Sequence, residues 1–71
     1  MFRNKIAYWA EQKGIKHSYL AKKCGVSNQT LSRWVTNKTQ PDLKHSFVLA
    51  RILSISVDEL GEFKEEEDES P

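Results

Sequence analysis

Hydrophobic residues recur at helical spacing almost from the start of the chain. Phe2, Ile6, Trp9 and Ala10 fall at i, i+4, i+7 and i+8, the stripe of an amphipathic helix. That spacing predicts a first helix over residues 2–13. Gly14 ends it, with Lys13 in the last turn, where a cation suits the helix dipole. A second helix fits residues 17–24, with Leu20, Ala21 and Cys24 facing inward and Gly25 as a left-handed stop. Ser27 is placed to cap a third helix, residues 28–36, whose inward face is Leu31 and Trp34 with Val35 beside them. Residues 36–41 form a polar loop closed by Pro41, which disfavours helix just before it. A fourth helix is expected from about Leu43 to Leu53, with Phe47, Ala50 and Leu53 turned inward. Ser56-Val57-Asp58-Glu59 has the form of a capping box and opens a short fifth helix through Leu60. No strand alternation and no internal repeat is visible. The fold class expected is all-α.

The spacing inside residues 17–36 narrows this picture. Small Ala21 sits where a larger side chain would hold two helices apart. Gly25 accepts positive φ and lets the chain turn sharply, while Val26 plugs the angle. Leu31 and Trp34 seat the following helix on the one before it. Together these meet the requirements of a helix-turn-helix, whose second helix projects into the DNA major groove. The alternative is an ordinary helical hairpin.

Composition removes several function classes. The 71 residues are 38% hydrophobic and 30% charged, and no apolar run approaches the roughly 18 to 20 residues of a membrane helix. The first residues show no secretory h-region. One cysteine, Cys24, rules out an internal disulfide, and with two histidines it leaves too few soft ligands for structural zinc. The three glycines have no nucleotide-cradle spacing. No catalytic constellation can be assembled from these residues, so the expectation is a cytoplasmic, nucleoid-associated protein that is not an enzyme and uses no cofactor, metal or small-molecule ligand. Cys24 is read as core, and Trp9 and Trp34 likewise.

Charge is divided along the chain. Residues 1–60 hold ten Lys/Arg against Glu11, Asp42, Asp58 and Glu59, a net of +6, and residues 61–71 hold six acids against Lys64, a net of −5. A basic body suggests a polyanionic partner, most simply nucleic acid. The acidic end offers almost nothing to bury, which predicts two units: a folded domain over 1–61, with the helix-turn-helix at 17–36, and a disordered acidic tail over 62–71.

The chain resembles the lambda-repressor-like, Xre/Cro-type helix-turn-helix family of bacterial and phage regulators. The resemblance covers residues 3–61. It is carried by residues 11–15 (Glu-Gln-Lys-Gly-Ile), 20–27 (Leu-Ala-Lys-Lys-Cys-Gly-Val-Ser) and 30–34 (Thr-Leu-Ser-Arg-Trp), and continues through 37–41, 49–53 and 56–60. It implies a five-helix DNA-binding domain. His17 and Ser18 stand where the family usually has Gln and Glu, Cys24 where it usually has Leu, and Asn37 where glycine is frequent, although Asn tolerates left-handed φ.

Candidate contacts follow from helix faces. Asn28, Gln29, Ser32 and Arg33 lie at i, i+1, i+4 and i+5 on the side of the third helix opposite Leu31 and Trp34. Asn and Gln can pair bidentately with adenine and Arg with guanine, so these four are the expected base readers. His17 and Ser18, at the start of the second helix, are placed for a phosphate, since free N–H groups and the dipole favour an anion there. Ser27, the loop residues Asn37, Lys38, Thr39 and Gln40, and Lys44 with His45 complete the expected phosphate set. Lys22 and Lys23 are read as solvated. The expected function is sequence-specific transcriptional regulation, as a repressor occupying a palindromic operator in double-stranded DNA as a homodimer. Ile55, Val57 and Leu60 are candidates for the dimer contact or for the core. The alternative is a protein-interaction module, antitoxin-like or an anti-regulator, acting through the acidic tail.

Overall fold

A computed structural model of the protein describes residues 1–64. In chain order the elements are β1 (Phe2–Asn4), α1 (Ile6–Lys13), α2 (His17–Cys24), α3 (Asn28–Val35), α4 (Leu43–Leu53), α5 (Val57–Leu60) and β2 (Gly61–Phe63). The five helices stand where the hydrophobic pattern puts them, apart from the first.

Helix boundaries have local causes. Gly14 and Gly25 end α1 and α2 at φ of 67° and 70°, the left-handed conformation that costs glycine little. The Ser27 hydroxyl accepts from the Thr30 N–H at 3.0 Å and starts α3. Asp42 caps α4 by accepting from the His45 N–H at 2.8 Å. Ser56 and Glu59 form the reciprocal capping box of α5.

The core gathers one face from every helix. Ile6 and Ala10 of α1, Leu20, Ala21 and Cys24 of α2, Leu31 and Trp34 of α3, Leu49 and Leu53 of α4, and Leu60 of α5 are buried together. α4 packs against α1, α2 and α5, and α2 against α3. Each fully buried leucine contributes about 1.5–3 kcal/mol relative to leaving it in water. Of the three candidate dimer residues, Leu60 is therefore core, and Ile55 is half-buried against the same cluster.

Three expectations need correction. The first helix does not span 2–13: it begins at Ile6, and residues 2–4 form a strand. Phe2 and Ile6 are four apart, a spacing that serves an extended chain of period two as well as a helix. Phe2 is turned from the core onto Phe63, their rings edge to face at 5.3 Å. The folded unit also does not stop at 61. β2 pairs antiparallel with β1 in the register Phe2↔Phe63, Arg3↔Glu62, Asn4↔Gly61, so Glu62 and Phe63 belong to the domain and not to the tail. Gly61 lets the Phe2 ring lie close over the strand, since a Cβ there would stand 2.5 Å from the ring and displace it. The expected disorder over 65–71 lies outside the described residues. Thirdly, Phe47 is 58% exposed. α4 buries Leu49, Ala50 and Leu53 instead, and Phe47 is two residues, about 200°, away from Leu49 around the helix.

Candidate nucleic-acid interface

The α2–α3 pair is built as the glycine turn requires. The Gly25 N–H bonds the Lys22 carbonyl at 3.1 Å and the Val26 N–H bonds the Ala21 carbonyl at 3.0 Å, closing α2 and sending the chain directly to the Ser27 cap. Leu31 and Trp34 are buried against α2, which fixes the opposite side of α3 toward solvent.

That solvent side carries Asn28, Gln29, Ser32 and Arg33, and all four are exposed. Among the described residues the side chains of these four have no hydrogen-bond partner or ion pair. They are four polar groups on one helix face, held by a packed backbone and left available to an external partner.

The flanking positions divide into two groups. His17 and Ser18 are exposed in the first turn of α2, and their backbone N–H groups have no acceptor among the described residues. Lys38, Thr39 and Lys44 are exposed as well. Ser27, Asn37 and Gln40 are already engaged inside the protein. Ser27 caps α3 and its hydroxyl also meets Thr30 Oγ1 at 3.1 Å. Asn37 adopts φ of 64°, as its position after α3 suggests. Its side-chain Oδ1 accepts from the Asn4 backbone N–H at 2.7 Å and from Gln40 Nε2 at 3.0 Å.

Asn4 is the residue that sequence reasoning missed. It is the buried polar side chain of the domain's described part. Its Nδ2 donates to the Trp34 carbonyl at 2.7 Å and to Gln40 Oε1 at 2.6 Å, while its Oδ1 accepts from the Ile6 N–H at 3.1 Å. β1 thus holds the C-terminal end of α3 and the loop after it, the two segments that set the pose of the exposed face. The only hint in the sequence was an amide among residues otherwise assigned to a helix stripe.

Aromatic and acidic groups buttress the other end of the loop. Trp34 and His45 rings lie 5.4 Å apart, and His45 Nδ1 is 2.8 Å from Asp42 Oδ1. The hydrogen bond from the His45 backbone N–H holds the Asp42 carboxyl below its ordinary value, helped by the His45 ring and by Lys44. Burial raises the Cys24 thiol, with a smaller contribution from Asp42, which keeps it protonated and fits its place in the core. Lys22 and Lys23 are exposed, and the Lys23 ammonium stands over the Tyr19 ring at 5.6 Å.

Residues 6–60 match the sequence model of the helix-turn-helix family. The chain belongs to that family, in its lambda-repressor-like, Xre-type branch of DNA-binding transcription regulators. It is 29% identical over 65 residues to an HTH-type transcriptional regulator of Methanocaldococcus jannaschii, covering 92% of this chain and 98% of the relative. A crystal structure of a Bacteroides fragilis protein assigned as DNA-binding superposes with a TM-score of 0.84 at 32% identity, over 87% of this chain and 100% of that one. The P22 c2 repressor, solved in complex with a synthetic operator, gives a TM-score of 0.69 at 30% identity, over 76% of this chain and 82% of the repressor. A transcriptional regulator of Listeria innocua shares the fold with a TM-score of 0.71 at 24% identity, over 90% of this chain and 64% of that one. No helix among the described residues is long and apolar enough to cross a membrane.

Proposed function

We propose that this helix-turn-helix protein is a repressor that occupies an operator as a homodimer, with α3 in the major groove. The observation that carries the reading is the α3 face: Asn28, Gln29, Ser32 and Arg33 are exposed, without internal partners, and opposite buried Leu31 and Trp34. Amide and guanidinium groups in that position match the base edges of adenine and guanine. The operator complex of the similar P22 c2 repressor supports the same use of the fold. His17, Ser18, Lys38, Thr39 and Lys44 supply phosphate contacts around the groove. Ser27, Asn37 and Gln40 remain in that set through whatever donor capacity their internal bonds leave, and act first by shaping the backbone.

A single module of this size makes a modest DNA interface, so two copies on a two-fold site give the affinity an operator needs. Of the candidate dimer residues Ile55 and Val57 are both half-buried, and Val57 is the one outside the core cluster, beside Phe2 and Phe63. Occupancy of the operator blocks transcription. Selection of bound duplexes from a random pool tests the reading. A sequence with two half-sites one helical turn apart is expected, and recovery of no preferred sequence would refute it.

A further inference from the structure

The outer face of α4 has no role in the DNA reading apart from Lys44, and its chemistry is specific. Lys44, Phe47, Val48 and Arg51 fall at i, i+3, i+4 and i+7, one side of the helix. With Ile52 and with Lys23 from α2 they line a groove of about 450 Å³. Its floor is apolar, formed by Phe47, which is 58% exposed, with Val48 and Ile52. Val48 and Ile52 lie half-buried, packed against the core. Its rim is cationic. Lys23, Lys44 and Arg51 have no ion pair among the described residues, and Asp42, which caps α4, is bound to His45 and acts on Lys44 only at longer range.

We infer that the α2–α4 groove is a docking site for an acidic amphipathic helix of a partner protein. Exposed aromatic and arginine side chains over a packed floor are the composition of an interaction hot spot. A helix laid along such a groove needs apolar anchors at i, i+3 or i+4 and i+7, with carboxylates on its flanks. Charge complementarity selects that occupant over the two available within this chain. A second copy presenting the same face would set three cations against three. Residues 65–71 are acidic but contain no apolar side chain other than Pro71 to fill the floor.

The test uses a fluorescent synthetic helical peptide of about 18 residues, with Leu at the anchor positions and Glu on the flanks, titrated by polarisation. A second peptide has every Leu replaced by Ser. The full chain should bind the first peptide at least tenfold more tightly than the second. Phe47→Ser and Arg51→Glu should each weaken it about tenfold. Both positions are exposed, and Lys23→Glu gives an independent third variant. Arg33→Ala should leave peptide binding unchanged, and deletion of residues 65–71 should leave the preference for the first peptide over the second unchanged. Phe47→Ser should leave affinity for duplex DNA unchanged, so failure of the operator reading and failure of this one are separable. Equal binding of the two peptides would overturn the inference. So would a loss of peptide binding in Arg33→Ala, binding that appears only after the tail is deleted, or a parallel loss of duplex binding in Phe47→Ser, which would make the groove part of the DNA interface.

Discussion

Asn4 and Trp34, thirty residues apart in sequence, are joined by a 2.7 Å hydrogen bond in which the Asn4 side-chain amide donates to the Trp34 carbonyl. That carbonyl also accepts the Asn37 N–H at 2.9 Å, so one oxygen fixes both the end of α3 and the left-handed turn after it. The strand that carries Asn4 is itself held by β2. A polar bond at the N-terminus of the chain is thereby coupled to the pose of α3.

Asn4→Ala removes both amide bonds and leaves the buried Ile6 N–H without its acceptor. The expected cost is about 1–3 kcal/mol, or a fall in Tm of roughly 4–8 °C for each kcal/mol in a domain of this size. Asn4→Asp should be at least as damaging, because it aims a carboxylate at the Trp34 carbonyl and Gln40 Oε1. Thermal melts of the two variants check this. Wild-type stability in both would mean the bond network carries no energy.

Base reading and phosphate binding are distinguishable in solution. Arg33→Ala and Gln29→Ala should each cost about 1–3 kcal/mol on the preferred site and little on random duplex, with the melt unchanged. Lys38→Ala should instead weaken all sequences alike and lower the salt slope by about one unit. Equal losses on specific and random DNA for Arg33 and Gln29 would remove them from the reading set.

The turn was legible in the sequence because its causes are local. Gly25, the Ser27 cap and small Ala21 each act on neighbours within a few residues, and all three do in the structure what their chemistry suggests. The sheet was not legible, since β1 finds its partner at residues 61–63 and the even spacing of Phe2 and Ile6 disguises a strand as a helix. The bonds of Asn37 and Gln40 to Asn4 are not legible for the same reason, because Asn4 lies more than thirty residues away. Phe47 fits the helical spacing of Ala50 and Leu53 but misses the arc that α4 buries, which only the packing of α1, α2 and α5 around it decides.

The helix crossing should be intolerant at two positions, for different reasons. Ala21 is 2% exposed, and Ala21→Leu overpacks the α2–α3 contact by about 1–3 kcal/mol. At Gly25 a Cβ would meet nothing within 4 Å, so the damage from Gly25→Val is confined to its φ of 70°, which a β-branched residue resists. Gly25→Asn should therefore be much milder than Gly25→Val, whereas no conservative enlargement should rescue Ala21. Denaturant midpoints of the three variants compare these directly.

Acid should loosen the caps of α4 and α5. The Asp42 carboxyl is held below its ordinary 3.8 chiefly by the His45 N–H, and the Glu59 carboxyl below 4.5 chiefly by the Ser56 N–H. A carboxyl with a lowered folded value contributes stability that is complete above its unfolded value and lost as pH falls through the folded one. Stability should thus be level near neutrality, decline below the ordinary carboxylate values, and lose both caps at still lower pH. Asp42→Asn combined with Glu59→Gln should flatten that decline in melts taken across the acid range. An unchanged slope would place the acid sensitivity elsewhere.

The acidic residues after β2 should act on DNA binding through charge. Residues 65–69 are five consecutive acids, joined through Lys64 to a strand that is part of the folded domain, where the Lys64 N–H bonds the Met1 carbonyl at 2.7 Å. Tethered anions compete with phosphate for the same lysines and arginines at high effective concentration. Deletion must begin at residue 65, because removing Glu62 and Phe63 would take away β2 and the ring partner of Phe2. The shortened chain should bind random duplex more tightly than the full chain at low salt. The difference should shrink as ionic strength rises toward 0.15 M, where the screening length falls to about 8 Å. Affinity for the preferred operator should change less, since base contacts are not subject to that competition, so the full chain should show the larger ratio of specific to random binding. Matching affinities of the two chains for random duplex at low salt would leave the acidic end with no part in DNA discrimination.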